Sequence, residues 1–286
     1  SQMQKQLVDM GMKDAPSHFQ IQANAALGAS DYFWKDSRDY LTSNRSDYTH
    51  KAPYEVNGPE YKATTSDFAS GPTQISRHSM PAPNFVGGLS IGNRFWKDRI
   101  GVMLAGSIQN TFRGTERTYN SVKMASGEQA MYIYSLQHRY YSIHDLTAGV
   151  HAKVDLQLEN NKFEWYNMYV RTNSKGVRYN NSVNTEYISS DSYTQDDETR
   201  SLSQTQSIFA THINGTHHLT KDFTVDWAGI FSQAKSEDPD RVYLSLTNTI
   251  QSAEGVDGSL WSGNKNILKT MPKNMERRFQ HNTDKD

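Results

Sequence analysis

The sequence predicts an all-β fold, an antiparallel up-and-down meander forming part of a transmembrane β-barrel, with long extracellular loops and short periplasmic turns. Three observations predict it. Apolar and polar residues alternate with period two in several segments, most cleanly from Leu146 to Leu158. The connections between these segments are alternately long and short, as in outer-membrane barrels. Aromatic residues make up 11% of the chain although its mean hydropathy is -0.78, which suits strands with one polar face.

Seven segments show the alternation, and we predict a strand in each. In chain order they are 18–28, 85–95, 99–112, 146–158, 163–172, 205–219 and 223–234. The fourth has an apolar residue at every even-numbered position and would span ~40 Å, whereas strands average about 5–6 residues. The fifth is less regular, and a bulge would restore its phase. Two fragments follow, at Val242–Leu246 and after Met275.

The remaining segments have fewer apolar positions but the same period. Odd-numbered residues from Phe19 to Leu27 are apolar in the first segment, and even-numbered residues from Ile100 to Ile108 are mostly apolar in the third. The apolar sets of the second, sixth and seventh segments are Phe85, Leu89 and Ile91; Phe209, Ile213 and Leu219; and Phe223, Val225, Trp227 and Phe231. Each segment therefore has one apolar face.

The connections alternate in length. Those at 29–84, 113–140 and 173–204 are long, and those at 96–98, 159–162 and 220–222 are short. Short periplasmic turns and longer extracellular loops would produce this order, which places residues 1–17 on the periplasmic side. Aromatic residues lie beside the short turns, where an interfacial girdle would place them: Phe95, Trp96, Phe163, Trp165, Phe223 and Trp227. Packing between paired strands is the alternative explanation.

Composition and motifs exclude several functions. A net charge of -1 provides no basic stripe for nucleic acid. With no cysteine, the 286 residues contain no disulfide, cysteine-ligated zinc or thiol nucleophile. No apolar run approaches the ~18 residues of a membrane helix. No catalytic or nucleotide-binding motif is present, so we expect neither an enzyme nor a cofactor site.

Two groups of side chains were considered as metal ligands. His212 and His217 would point to opposite faces of a strand, so we expect polar lining residues here, as we do for the adjacent His218. The acidic run 196–198 falls in a predicted loop, where a calcium site is conceivable but a solvated charge run is expected. We therefore predict no metal site.

The candidate functional residues are polar side chains on the faces opposite the apolar ones. We predict that they are ordinary lining of a polar lumen, and contact with a plug or a passing ligand is the alternative. They are Gln20, Gln22, Asn24, His151, Lys153, Asp155 and Asp226.

Several patches resemble TonB-dependent outer-membrane receptors. Residues 12–16 (MKDAP) resemble the segment that leads from the plug domain into the barrel, and 92–112 resembles a barrel hairpin. Further similar patches are 167–170, 226–227 with 231–234, 239–241 and 275–279. Together they span nearly the whole chain without one invariant signature.

The resemblance implies a receptor in the bacterial cell outer membrane that takes up a scarce nutrient of the glycan, siderophore-iron or cobalamin class. Implied partners are outer-membrane lipid, the receptor's own plug domain and, through it, TonB; a surface lipoprotein is a further candidate. Residues 1–17 would be the plug-to-barrel connecting segment and 18–286 a partial barrel, since such barrels have 22 strands. The chain begins Ser1-Gln2 with no signal peptide, so we expect a fragment of a longer protein.

Two alternatives remain open from the sequence. A soluble or surface-attached all-β carbohydrate-binding domain would have strands of about 5–6 residues and turns of more even length. A glycoside-acting enzyme would need two facing carboxylates, and the sequence does not pair any.

Overall fold

The computed structural model describes residues 15–29, 40–43, 51–62, 64, 67, 75–78, 82–125, 127, 130–187, 192–251 and 267–285. Most of these residues are in β-strands, so the predicted all-β class is confirmed. The described residues contain ten strands: β1 (Gln20–Gly28), β2 (Tyr40–Ser43), β3 (Ile75–His78), β4 (Asn84–Phe95), β5 (Ile100–Met124), β6 (Met131–Leu158), β7 (Asn161–Asn184), β8 (Ser192–His218), β9 (Thr224–Gln251) and β10 (Ile267–Lys285). They also contain the short helix α1 (Pro53–Asn57) and a 3-10 turn (Thr185–Tyr187).

Eight strands form one antiparallel up-and-down sheet in the order β1-β4-β5-β6-β7-β8-β9-β10. Each strand of the sheet pairs with the next one along the chain, apart from the excursion between β1 and β4. β1 and β10 form the two edges and do not pair with each other. In the part of the chain that is described, no helix has the length and apolar character needed to cross a membrane.

All seven predicted strands are present, and five of them are longer than predicted. β5 to β9 have 24 to 28 residues. The predicted long connections 113–140 and 173–204 are therefore mostly strand, leaving 125–130 and 185–191 between the strands. The fragment at 242–246 belongs to β9, and the strand expected after Met275 is β10, which begins at Ile267.

The fifth predicted strand contains no bulge. β7 pairs with β6 and with β8 without a register shift, so Phe163 and Trp165 share a face with Asn167. Shifts occur in other strand pairs, between Ser121 and Val122 near the end of β5 and between Ser201 and Thr205 in the middle of the β8–β9 pair. An extra residue at such a position bends the strand and increases its local twist.

The connection between β1 and β4 contains structure of its own. β2 and β3 pair as a small antiparallel sheet. The Leu41 amide donates to the Ser142 hydroxyl at 2.8 Å, and the Tyr40 ring meets Phe112 edge-on at 5.9 Å. The excursion thereby covers the middle of β5 and β6, where Tyr40, Leu41 and Phe112 are buried.

The large sheet has two ends. The β4–β5, β6–β7 and β8–β9 turns lie at one end, the short-turn end, and the opposite end is the long-hairpin end. The side-chain composition of each face changes from one end to the other. Near the short turns one face buries His151, Lys153 and Asp155. We call it the polar face. The opposite face there exposes large apolar side chains, here the apolar band: Ile21, Leu27, Leu89, Ile91, Val102, Leu104, Ile108, Val150, Val154, Trp165, Tyr169, Phe209, Ile213, Trp227 and Phe231. Over the same rows of the described sheet, Ile208 and Ile230 are the large exposed apolar residues of the polar face.

The long-hairpin end has a different core. Val183, Tyr193 and Ile250 form a buried cluster with Leu136 packed against it. Polar residues are buried around this cluster, among them Asn181, Gln195 and Asn248. This end is therefore held by a mixed polar and apolar core and lies beyond the apolar band.

Candidate functional site

The polar face carries the residues predicted to line a lumen. Paired residues of neighbouring strands point to the same face. Gln20 pairs with Gly92, Gly92 with Met103 and Met103 with Lys153, so Gln20 and Lys153 share a face. The same kind of register connection places all seven on this face: Gln20, Gln22, Asn24, His151, Lys153, Asp155 and Asp226. Their shared face agrees with the sequence prediction, while the lumen itself stays a prediction because the sheet is open.

The structure divides these seven residues into two sets. Three lie side by side on β6 and are buried, with exposed fractions of 3% for His151, 8% for Lys153 and 1% for Asp155. The other four are exposed: Gln20, Gln22 and Asn24 on β1, and Asp226 on β9. Only the β6 residues therefore form a compact cluster.

Residues of β7 hold two members of this cluster. His151 Nδ1 and the Tyr166 hydroxyl are hydrogen-bonded at 2.5 Å. Lys153 Nζ lies 3.3 Å from Glu164 Oε1, and Lys162 reaches the same oxygen at 3.1 Å. Two lysines thus share one carboxylate, and this pairing lowers the cost of keeping Lys153 out of water.

Asp155 is held by Arg94 in a buried ion pair. Arg94 Nη2 donates to Asp155 Oδ2 at 2.6 Å, and the exposed fractions of the two side chains are 7% and 1%. Arg94 also donates from Nε to the Ala15 carbonyl and from Nη1 to the Asp98 carbonyl, each at 2.9 Å. One guanidinium therefore joins β6, the β4–β5 turn and the segment before β1.

The segment before β1 packs closely on this face. Ala15 is buried, and a Cβ at Gly101 would lie 2.8 Å from the Ala15 Cβ. A Cβ at Gly92 would similarly lie 2.7 Å from Pro16 Cδ. Glycine at both positions leaves room for residues 15 and 16, which belong to the predicted connecting segment; residues 1–14 lie outside the described residues.

Two buried polar atoms of the cluster have no hydrogen-bond partner among the described residues. They are His151 Nε2 and Asp155 Oδ1. Leaving such an atom unsatisfied costs about 1–3 kcal/mol. Both atoms are buried below the surface of the polar face, and a Cβ at Gly101 would clash with Asp155 Oδ1.

The histidines considered as metal ligands point to opposite faces, as predicted. His212 pairs with Tyr166 on the polar face, whereas His217 lies on the apolar face beside Trp227. The Trp227 indole donates to His217 Nε2 at 2.9 Å, and His217 Nδ1 is 2.7 Å from Asn161 Oδ1. No group of three His, Asp or Glu residues suited to a metal ion occurs in the described ranges.

The acidic run 196–198 is not in a loop but in β8, so the loop assignment was wrong. Its carboxylates alternate between the two faces and are engaged by strand neighbours. Asp197 accepts hydrogen bonds from Tyr179 at 2.8 Å and from Asn181 at 2.7 Å. Burial, reinforced by the Asp197 charge, raises the pKa of Tyr179 to about 12, so its hydroxyl remains a donor at neutral pH.

Sequence reasoning missed Arg94, Glu164 and Tyr166. Each lies on the polar face, but their contacts with β6 depend on the register between strands. The alternation of Lys162, Glu164 and Tyr166 was a usable signal, since three polar side chains at period two follow a short turn.

Comparison with known proteins gives no relative from which a role can be transferred to these residues. A scan against protein-family models finds no match, and neither does a search of curated proteins. Any function therefore has to be argued from the sheet itself, which has a buried polar cluster on one face and exposed apolar side chains on the other.

Proposed function

We propose that this chain is the early part of the transmembrane β-barrel of a bacterial outer-membrane receptor, of the kind that TonB-dependent receptors represent. Its role would be transport and not catalysis: uptake of a scarce nutrient of the glycan, siderophore-iron or cobalamin class. The observation that carries the proposal is the apolar band, which is exposed on one face of an eight-stranded sheet.

The apolar band is more than a soluble protein normally leaves in contact with water. Its side chains come from seven neighbouring strands, β1 and β4 to β9, with exposed fractions such as 51% for Leu104, 52% for Val150 and 50% for Trp165. Contiguous apolar patches beyond a few hundred Å² are rare on soluble monomers and mark interfaces with protein or membrane. A lipid-facing wall accounts for the whole band at once.

The short-turn edge of the band is aromatic. Phe163 meets His217 edge-on at 5.1 Å, and Trp227 lies over Gly215, where a Cβ would come within 2.6 Å of the indole. Trp165 donates its indole N–H to the Thr211 hydroxyl at 3.0 Å. Rings with an apolar body and a satisfied polar atom suit a membrane–water interface, which supports the predicted girdle.

Strand length argues against the soluble alternative. A carbohydrate-binding sandwich would have strands of about 5–6 residues. The strands here have up to 28 residues, and the connections at 125–130 and 185–191 are longer than the turn at 159–160. Asp155 of the β6 cluster is paired with Arg94, and Glu164 of β7 is paired with Lys153, which disfavours the glycoside-acting alternative.

The partners follow from the two faces. Outer-membrane lipid would cover the apolar band, and a plug domain would lie against the polar face. Energy would come from TonB through that plug, and a surface lipoprotein is a candidate partner at the long-hairpin end.

Cell fractionation and growth test this function. We expect the protein to sediment with the outer membrane in a density gradient. Cells with the gene interrupted should grow more slowly on a limiting source of one nutrient class, and restoring the gene should restore growth. Recovery in the soluble fraction, or unimpaired growth on limiting iron chelates, cobalamin and glycans alike, would contradict the proposal.

A further inference from the structure

Cationic side chains lie on the apolar face beside the long-hairpin edge of the apolar band. Arg171 is the first apolar-face position beyond the band on β7, and Lys235 is the second on β9. They share a register row, because both pair with Ser207. At the short-turn edge Lys97 and Lys221 belong to the turns and not to the strands.

A third cation completes this group. Lys285 on β10 pairs with Gln233, so it lies on the same face, one strand and two positions from Lys235. Residues in such a diagonal relation are ~7–8 Å apart, and Arg171 and Lys235, two strands apart, are separated by ~10 Å. Arg171, Lys235 and Lys285 are here called the rim cations.

The rim cations are exposed and none forms an ion pair with another described residue. The nearest carboxylate on this face belongs to Glu237. It follows Lys235 by two residues on β9, on the side away from the band, and it pairs with His281 on β10. Hydroxyl and amide groups lie between the cations, from Ser207, Thr283 and Gln233. An anion that approaches from the band therefore meets positive charge and hydrogen-bond donors.

The apolar surface directly below the rim cations is continuous. Tyr169, Phe209 and Phe231 are exposed by 44%, 37% and 44%, and the two phenyl rings are 6.4 Å apart. A ligand with a phosphate above and hydrocarbon chains below would match both parts of this surface. Lys and Arg at an interface attract anionic headgroups, whereas phosphate alone would use only the upper part.

We infer that the rim cations form a binding site for the phosphate of an anionic membrane lipid on the outer wall of the sheet. The site rests on the proposed membrane location. Arg171 provides a planar fork for phosphate oxygens, and the two lysines supply point charges. Bound lipid chains would lie along Tyr169, Phe209 and Phe231.

Lipid titration of the purified protein in uncharged detergent tests this site. The probe is phosphatidylglycerol, with phosphatidylcholine for comparison, and bound lipid is counted by native mass spectrometry. We expect the triple variant Arg171→Gln, Lys235→Gln and Lys285→Gln to bind phosphatidylglycerol about 100-fold more weakly, since each cation near an anionic surface contributes about fivefold. Added salt should weaken the wild-type binding because the cations are exposed.

A matched variant removes three positive charges elsewhere: Lys97→Gln, Lys221→Gln and Lys269→Gln, all exposed and away from the rim. It should bind phosphatidylglycerol like the wild type. Equal weakening in both variants would overturn the site, as would full displacement of lipid by inorganic phosphate. A protein that enters phosphatidylcholine bilayers without preferring phosphatidylglycerol would refute the site and leave the membrane proposal standing; one that enters no bilayer would refute that proposal.

Discussion

Replacing Arg94 by Met should destabilise the protein by about 3–5 kcal/mol. The substitution leaves the Asp155 carboxylate with an exposed fraction of 1% and without its cation. Removing one partner of a buried ion pair costs this much because the remaining charge is uncompensated. The loss should appear as a lower urea midpoint in the tryptophan fluorescence of the protein in detergent micelles.

The double variant Arg94→Met, Asp155→Asn separates charge from packing. It removes the stranded carboxylate, so we expect it to regain a large part of the lost free energy. Arg94 also holds the Ala15 carbonyl, so the segment before β1 should become more sensitive to protease in both variants. An Arg94→Met protein that unfolds within about 0.5 kcal/mol of the wild type would show that the pair is not buried.

Replacing Leu104 by Arg should lower the stability of the bilayer-embedded protein by about 2–4 kcal/mol, the cost of a cation on the lipid face near the midplane. Leu104 is 51% exposed and lies midway between Ile108, in the register row of Arg171, and Ile100, in the row of Phe163. If that exposure were to water, the same substitution would stay within about 0.5 kcal/mol. The two environments therefore predict clearly different values from urea unfolding in lipid vesicles.

The matched control is Gln22→Arg. Gln22 is exposed on the polar face in the register row of Ala105, so it lies at the height of Leu104. A lumen-side or solvent-side cation there should change stability little. Equal effects of Arg at positions 22 and 104 would contradict a lipid-facing band.

The short-turn half of the fold was predictable because its faces differ in chemistry. Leu146 to Leu158 alternates without a break, and the structure keeps that alternation in register with both neighbours. The first half of β6 gave no such signal, because His138, Tyr140 and Ser142 alternate with Arg139 and Tyr141. Beyond the band both faces are polar and aromatic, so strand pairing there depends on cross-strand contacts that period two does not report.

The candidate site was predictable as a face but not as a cluster. Period two puts His151, Lys153 and Asp155 together on β6. Their partners come from other strands: Arg94 is 61 residues from Asp155 in the chain. Which residues meet depends on the register of β4, β5 and β6, and register is set by turns and packing that the sequence pattern leaves undetermined.

Labelling of single cysteines along β6 tests the lipid-facing band most directly, since the natural chain has none. Cysteine would be placed in turn at Val150, Ala152 and Val154, and at the alternate Thr147, His151 and Lys153. In membranes from cells that make the protein, a water-soluble maleimide should leave the first set unlabelled until detergent is added, whereas a lipid-soluble reagent should label it. Rapid labelling of the first set by the water-soluble reagent in intact membranes would contradict a membrane-spanning sheet.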